Sequence, residues 1–415
     1  MKPPAESISH IRASFPQQGF FQDKEWVLSP EAFALDAATV ELIRALGPAL
    51  RAFQRACNRL YFDEAHPWVA KLLDQGKPQR VIELGRNPRW HEDLPRVLRP
   101  DLVLTETGVS ISELDSFYAA MDQNVIGGAA GMIDAFAAAF PSEDILISRE
   151  SGDYLPEMSW LADRLGQRVW RPWEIEPFEL NGTAIYRFFE LFDLANVENA
   201  DVMLRMAERG EISFTPPIKA FLEEKLWLAL FWSPALEDFW KSALSTPHLE
   251  LLKKCIPMGW VVDPVPLPPF AVWPKLDIQS WHEMKSFGGR LRQLVLKISG
   301  FSERGWGSRG VFIGHDLSQE QWGAAIDEAL ASFPTNPFVL QEFHRAKVVT
   351  HPAWDEEKQT TRAMQSRVRL CPYYFATSDE DHDPALGGVL ATVCPADKKI
   401  LHGMRDAMML PCVAR

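Results

Sequence analysis

Apolar and polar positions fall most tellingly across residues 294–314, LVLKISGFSERGWGSRGVFIG. Leu294-Val295-Leu296 forms an apolar run that ends on Lys297, and Val311-Phe312-Ile313 forms a second one. Between them lies a polar loop holding Gly300, Gly305, Gly307 and Gly310, with Glu303, Arg304 and Arg309 inside it. Two short extended runs joined by a glycine-rich link predict a β-hairpin. Glycines set this close let backbone N–H groups approach anionic oxygens without a Cβ in the way, so the tip suits a phosphate. A surface hairpin with a soluble tip is the plainer alternative. A P-loop is excluded, because its lysine follows the glycines and precedes Ser or Thr. A dinucleotide fingerprint is excluded as well, because no strand–turn–helix follows.

Elsewhere the pattern switches between helical and strand periods. Residues 1–30 read as an irregular arm. From Ser29 a helix is expected, with Pro30 and Glu31 in its first turn and apolar positions at Val40, Ile43, Leu46, Leu50, Phe53 and Cys57. An interruption is expected at Gly47-Pro48. Residues 68–73 give a short helix leading to Gly76. Residues 99–115, RPDLVLTETGVSISELD, read as two strands about Thr107-Gly108. On the second strand Glu113 and Asp115 are two apart and therefore face the same way. Two carboxylates on one face need solvent, a partner or a cation. The small-residue segment 124–131 is expected to open a helix over 132–140.

Residues 144–182 predict strand, helix and strand, the helix closed by Gly166, and 183–191 a third strand carrying Arg187. Short connections of this kind imply a parallel sheet with ligands at the carboxyl ends of its strands, which makes Arg187 a pocket candidate. A helix is expected over 197–210 and another over 218–231, the latter with Lys225 beside the stripe Leu222, Leu226 and Leu230. A helical region over 237–254 should break near Pro247. The stretch 264–274, PVPLPPFAVWP, reads as an ordered extended segment held by Trp273. After the hairpin come an amphipathic helix over 317–332 and the strand FVLQE, 338–342. Further strands follow at 368–375 and 389–393, and the acidic run 378–384 reads as a solvated loop.

Composition narrows the functional classes. The chain has 415 residues, enough for two or three domains, and 47% hydrophobic residues, an ordinary globular share. A formal charge of −13 argues against general nucleic-acid or acidic-membrane binding. Five scattered cysteines have no paired metal spacing, which points to a reduced, cytoplasmic setting. The first residues lack the apolar core of a signal peptide, and no apolar run reaches membrane-spanning length.

Taken in order, these motifs resemble the ATP-grasp ligases, and more closely the circularly permuted branch that includes eukaryotic-type glutathione synthetase and glutathionylspermidine synthase. The likeness runs from about residue 99 to 402. It implies an α+β / α/β chain with an ATP-grasp region of the permuted type and a pre-ATP-grasp α/β domain. The corresponding divisions are 1–90, an arm and helical region; 91–215, the metal-ligand strand end and α/β domain; and 216–415, the nucleotide-binding region. In that family Lys297 matches the strand lysine that contacts phosphate, and Lys225 a second nucleotide lysine. Gly305, Gly307, Ser308, Arg309 and Gly310 match the loop over ATP, and Gln341 and Glu342 the hinge at adenine. Glu113, Asp115 and Glu303 match the magnesium ligands, with Asp115 standing where glutathione synthetase has Asn. Arg187 matches an arginine near the acceptor-substrate site; Arg99 is a second candidate to hold the acceptor carboxylate, with Arg367 and Arg369 on the strand RVRL as weaker ones. The glycine cluster departs from the uninterrupted run of glutathione synthetase.

The resemblance implies an ATP- and magnesium-dependent C–N ligase that joins a small-molecule carboxylate to an amine through an acyl phosphate. It also favours a homodimer. An ATP-dependent phosphotransferase and a non-catalytic binding protein on the same fold are the alternatives.

Overall fold

A computed structural model describes residues 3–14, 27–115, 131–269, 271–305, 309–378, 382–403 and 406–415. Residues 124–130 of the small-residue segment, Trp306, Gly307 and Ser308 of the glycine loop, and 379–381 of the acidic run therefore lie outside the described residues. The chain forms two compact units, one of Met1–Arg51, Asp93–Pro217 and Arg345–Arg415, the other of Ala52–Glu92 and Ile218–His344.

The first unit holds two sheets. The larger runs in the order Phe33–Leu35, Met408–Ala414, Ala385–Pro395, Thr360–Phe375, Val97–Thr105, Gly108–Asp115, and Val348–Asp355 also pairs with Thr360–Phe375. It is antiparallel except for Phe33–Leu35, which lies parallel to Met408–Ala414. The smaller sheet is parallel, in the order Val169–Trp170, Asp144–Ile147, Ala184–Phe188, Ser213–Thr215. Its core includes Met132, Phe136 and Phe140 beside Ile145, Ile147 and Tyr186 of the parallel sheet and Tyr373 and Phe375 of the large one. Burying each such large side chain contributes about 1.5–3 kcal/mol. The expected second strand is cut to Val169–Trp170, since Pro172 cannot donate to a ladder.

Three expectations for the N-terminal part are corrected. The arm contains a helix, Pro4–Ser14, with proline at its start, Glu6 in its first turn and Arg12 in its last, all favourable there. Ser29 does not open a helix. Its hydroxyl accepts from Glu31 N at 3.1 Å, the strand Phe33–Leu35 follows, and Asp36 Oδ1 accepts from Thr39 N at 2.7 Å as the helix Ala37–Tyr61 begins. That helix also continues through Pro48. The lost N–H bond is offset by burial of Leu46, Leu50 and Phe53. Gly47 is required, because a Cβ would lie 2.6 Å from the Tyr374 ring.

The second unit is built on an antiparallel sheet in the order Val311–Ile313, Leu294–Ile298, Phe338–Glu342, Gly259–Val261. The helix Gln319–Ser332 covers one face, started by a capping box of Ser318 and Gln321. The single helix expected over 218–231 is instead a 3-10 turn, Ala220–Glu223, and a short helix, Leu226–Leu230. The break falls where Glu224 turns inward to Lys77. The region 237–254 breaks before Pro247: Glu237–Ala243 ends, and Ser245 Oγ caps Thr246–Cys255 by accepting from His248 N at 3.4 Å. The proline-rich stretch is pinned at both ends, by Trp260 Nε1 to Pro274 O at 3.1 Å and Trp281 Nε1 to Asp263 O at 2.9 Å. Trp273 packs on Trp281, with ring centres 4.7 Å apart. Among the described residues no helix is long and apolar enough to cross a membrane.

Candidate functional site

The hairpin forms as its pattern predicts. Val311 stands opposite Lys297 on one side of the strand Leu294–Ile298, and Val339 stands opposite it on the other. Because side chains alternate along a strand, the register sorts the sheet into two faces. Leu296, Ile298, Phe338, Leu340 and Trp260 pack with Trp322 and Ile326 of the covering helix. Lys297 and Gln341 share the opposite face, with Gly259 next to Gln341 in register. A Cβ at Gly259 would sit 3.5 Å from the Ala229 Cα, so the helix following Lys225 packs on this same face.

Two buried polar atoms near this face have no hydrogen-bond partner among the described residues: Gln341 Nε2 and Ser299 Oγ. Their residues are 1% and 3% exposed. Leaving such groups unpaired costs about 1–3 kcal/mol each, so they are groups that a polar ligand would satisfy.

At the loop, Ile298 N donates to Gly310 O at 3.0 Å, and Gly305 N donates to Ser302 O at 2.8 Å. Arg309 Nη2 donates to Glu303 O at 2.8 Å, and Arg304 pairs with Glu328. Gly310 has no room for a side chain, because a Cβ would overlap the Ile298 methyl. A Cβ at Gly305 would lie 3.7 Å from Lys225 Nζ. Lys225 and the glycine loop therefore converge within this unit. Glu303 is exposed at the start of the 3-10 turn Glu303–Gly305. Glu342 is tied up: a hydrogen bond from His344 holds its carboxyl below the usual range against burial, helped by Lys275 at 3.4 Å.

The first unit contributes a second polar cluster. Arg369 Nη1 donates to Asp101 Oδ2 at 2.7 Å, Arg99 Nε lies 3.7 Å from Asp101 Oδ1, and Cys371 Sγ lies 3.3 Å from the same oxygen. Burial pushes the Asp101 carboxyl up, yet the charges of Arg369 and Arg99 prevail and hold it below the usual range. Burial first, and then Asp101, push the Cys371 thiol up to about 12. In register Asp101 stands opposite Glu113, and Arg99 opposite Asp115. Arg187, at the end of Ala184–Phe188, is fully buried; it donates to Pro216 O at 3.2 Å and to Phe189 O.

Asp101 was not evident from the sequence. An alternating charge in RPD, read against RVRL, is the only local signal, and their pairing spans most of the chain. Ser299 likewise carried no signal beyond its place two residues after Lys297. Among the described residues, no group of three or more His, Cys, Asp and Glu side chains is close enough to hold a metal ion.

No family model and no curated protein matches the sequence. Among solved structures, a glutathione-synthetase-like effector from Globodera pallida, in its apo form, has a similar fold. It aligns with TM-score 0.55 and 13% identity over 93% of this chain and 89% of its own. A proposed gamma-glutamylcysteine synthetase from Methylobacillus flagellatus aligns over 83% of this chain and 85% of its own at 12% identity; its TM-score of 0.40 is too low to carry a structural correspondence. The chain thus has a mixed α+β fold similar to that of the glutathione-synthetase-like effector.

Proposed function

We propose that this protein is an ATP- and magnesium-dependent carboxylate–amine ligase on a circularly permuted ATP-grasp scaffold. The observation that carries the proposal is in the second unit. Lys225 reaches the glycine loop, Lys297 shares a sheet face with Gln341, and the buried Gln341 Nε2 and Ser299 Oγ lack partners. Two ammonium groups, a glycine-rich loop and unsatisfied polar atoms suit a polyphosphate with a polar base.

In this reading Lys297 and Lys225 offset charge on the phosphates, helped by the glycine-rich loop. The strand end at Gln341 and Glu342 meets the adenine. Glu303, exposed at the loop, is a carboxylate, the hard oxygen donor that magnesium takes. Magnesium, when bound, neutralises charge on the triphosphate. Arg99 is assigned to the acceptor carboxylate, because a planar guanidinium binds carboxylate oxygens in pairs, whereas the fully buried Arg187 is held by the Pro216 and Phe189 carbonyls. The reaction forms an acyl phosphate from the carboxylate and ATP, releasing ADP. The amine then attacks the acyl carbon, expelling phosphate and leaving an amide.

The test is an ADP-release screen of purified protein against paired carboxylates and amines, with mass detection of products. Lys297→Ala and Glu303→Ala should each lower substrate-dependent ADP release by about 10²-fold or more. Full ADP release by either variant would refute the proposal. A persisting phosphorylated product would assign the protein to phosphotransfer instead.

A further inference from the structure

Beneath the glycine loop lies a charge pair that the nucleotide reading does not use. Lys77 pairs with Glu224, and their side chains are 3% and 2% exposed. Lys77 also donates to Leu73 O and sits 5.3 Å from the centre of the Phe301 ring. The other oxygen of Glu224, Oε2, accepts from Gly300 N at 3.2 Å. Gly300 is pressed so tightly onto this segment that a Cβ would overlap Glu223 O. The pair thus grips the residue at which the chain leaves Leu294–Ile298 and enters the loop. The next residue after Glu224 is Lys225, whose ammonium reaches Gly305.

Burying two charges costs several kcal/mol per ion, and apolar residues of like size often serve stability as well or better. Stability alone is a poor reason for this pair. What an apolar pair cannot do is accept the Gly300 N–H. We propose that Lys77–Glu224 is a positioning latch for the root of the glycine loop. By fixing Gly300 on one side and Lys225 on the other, it holds the loop and the ammonium in the arrangement that receives a nucleoside triphosphate. Lys77 and Glu224 are positioning residues in this scheme, acting through Gly300 and Lys225. The inference rests on the nucleotide reading above.

The deciding variant is Lys77→Met/Glu224→Met, which keeps the volume and removes both the charges and the acceptor. Two measurements are made on the full chain. Trypsin cleavage at Arg304 and Arg309, without nucleotide, reads how firmly the loop root is held. Calorimetry with Mg-ATP reads affinity, with the melting temperature as a control. The double variant should melt within a few degrees of the parent. Its loop should be cut about fivefold faster or more, in proportion to the population of the opened state. Its Mg-ATP Kd should rise by about tenfold, equivalent to about 1.4 kcal/mol. Glu224→Gln, which keeps an oxygen for Gly300, should fall between parent and double variant in both.

A folded double variant with cleavage and Kd both within twofold of the parent overturns the latch. So does faster cleavage with unchanged Kd. Should the double variant fail to fold, parent-like cleavage and Kd in Glu224→Gln overturn it. If the parent binds no Mg-ATP, the nucleotide reading falls instead. The nucleotide-free cleavage rates then still decide whether the pair holds the loop root.

Discussion

Glu157 offers a test of the core of the first unit through pH. It is the third residue of the helix Leu155–Leu165, where the helix dipole favours a negative charge. Burial overrides that preference. The residue is 5% exposed, Oε1 has no partner among the described residues, and burial raises the carboxyl from 4.5 to about 7. Tyr373 of the long strand Thr360–Phe375 lies within electrostatic reach, its own phenol pushed well up by burial. Between pH 4.5 and about 7 the native state therefore holds more protons than the unfolded one. Stability must fall as pH rises through that window and level off above it. At about 1.4 kcal/mol per pH unit, the full loss is of order 3 kcal/mol. Glu157→Gln removes the titration. Urea unfolding from pH 4.5 to 8.5 should show parent and variant within about 1 kcal/mol at the acid end, and the variant more stable by about 2–3 kcal/mol at the alkaline end. A difference between them that stays constant across pH would refute the reasoning.

Asp101→Asn leaves Arg369 and Arg99 without their buried counter-charge, and should cost about 3–5 kcal/mol by urea unfolding at pH 7. Because the folded carboxyl lies below its ordinary value, this stabilisation should be present above the usual carboxylate range and fade as pH falls through the lowered pKa. A loss under 1 kcal/mol at pH 7 would show that the cluster is effectively solvated. Gly76→Ala places a side chain at φ +73 and into the Thr335 carbonyl, and should lower stability by about 1–3 kcal/mol. A melting temperature equal to the parent's would mean that the turn rearranges freely.

What could be read from the chain alone was the local pattern. The hairpin was visible because its two apolar runs and the glycines between them are contiguous, and Gln319–Ser332 because Ser318 and Gln321 announce its start. Strands of three residues, such as Ser213–Thr215 and Gly259–Val261, are too short for an alternation to show. The helix through Pro48 defeated a local rule because tertiary burial outweighed one missing hydrogen bond. The site residues show the same division. Lys297 and Glu303 stand out because they flank or sit within the glycine-rich loop, but nothing in the sequence separates Lys77, Glu224 or Asp101 from ordinary surface charges. They become distinctive once packing has buried them. A buried charge needs a partner, and the pairs Lys77–Glu224 and Asp101–Arg369 each join residues far apart along the chain. In both units the buried pair directly adjoins residues singled out from sequence: Glu224 beside Lys225 and the loop root, Asp101 beside Arg99 and across from Glu113. That recurrence favours a positioning role over accident, because apolar residues would have served packing alone at lower cost.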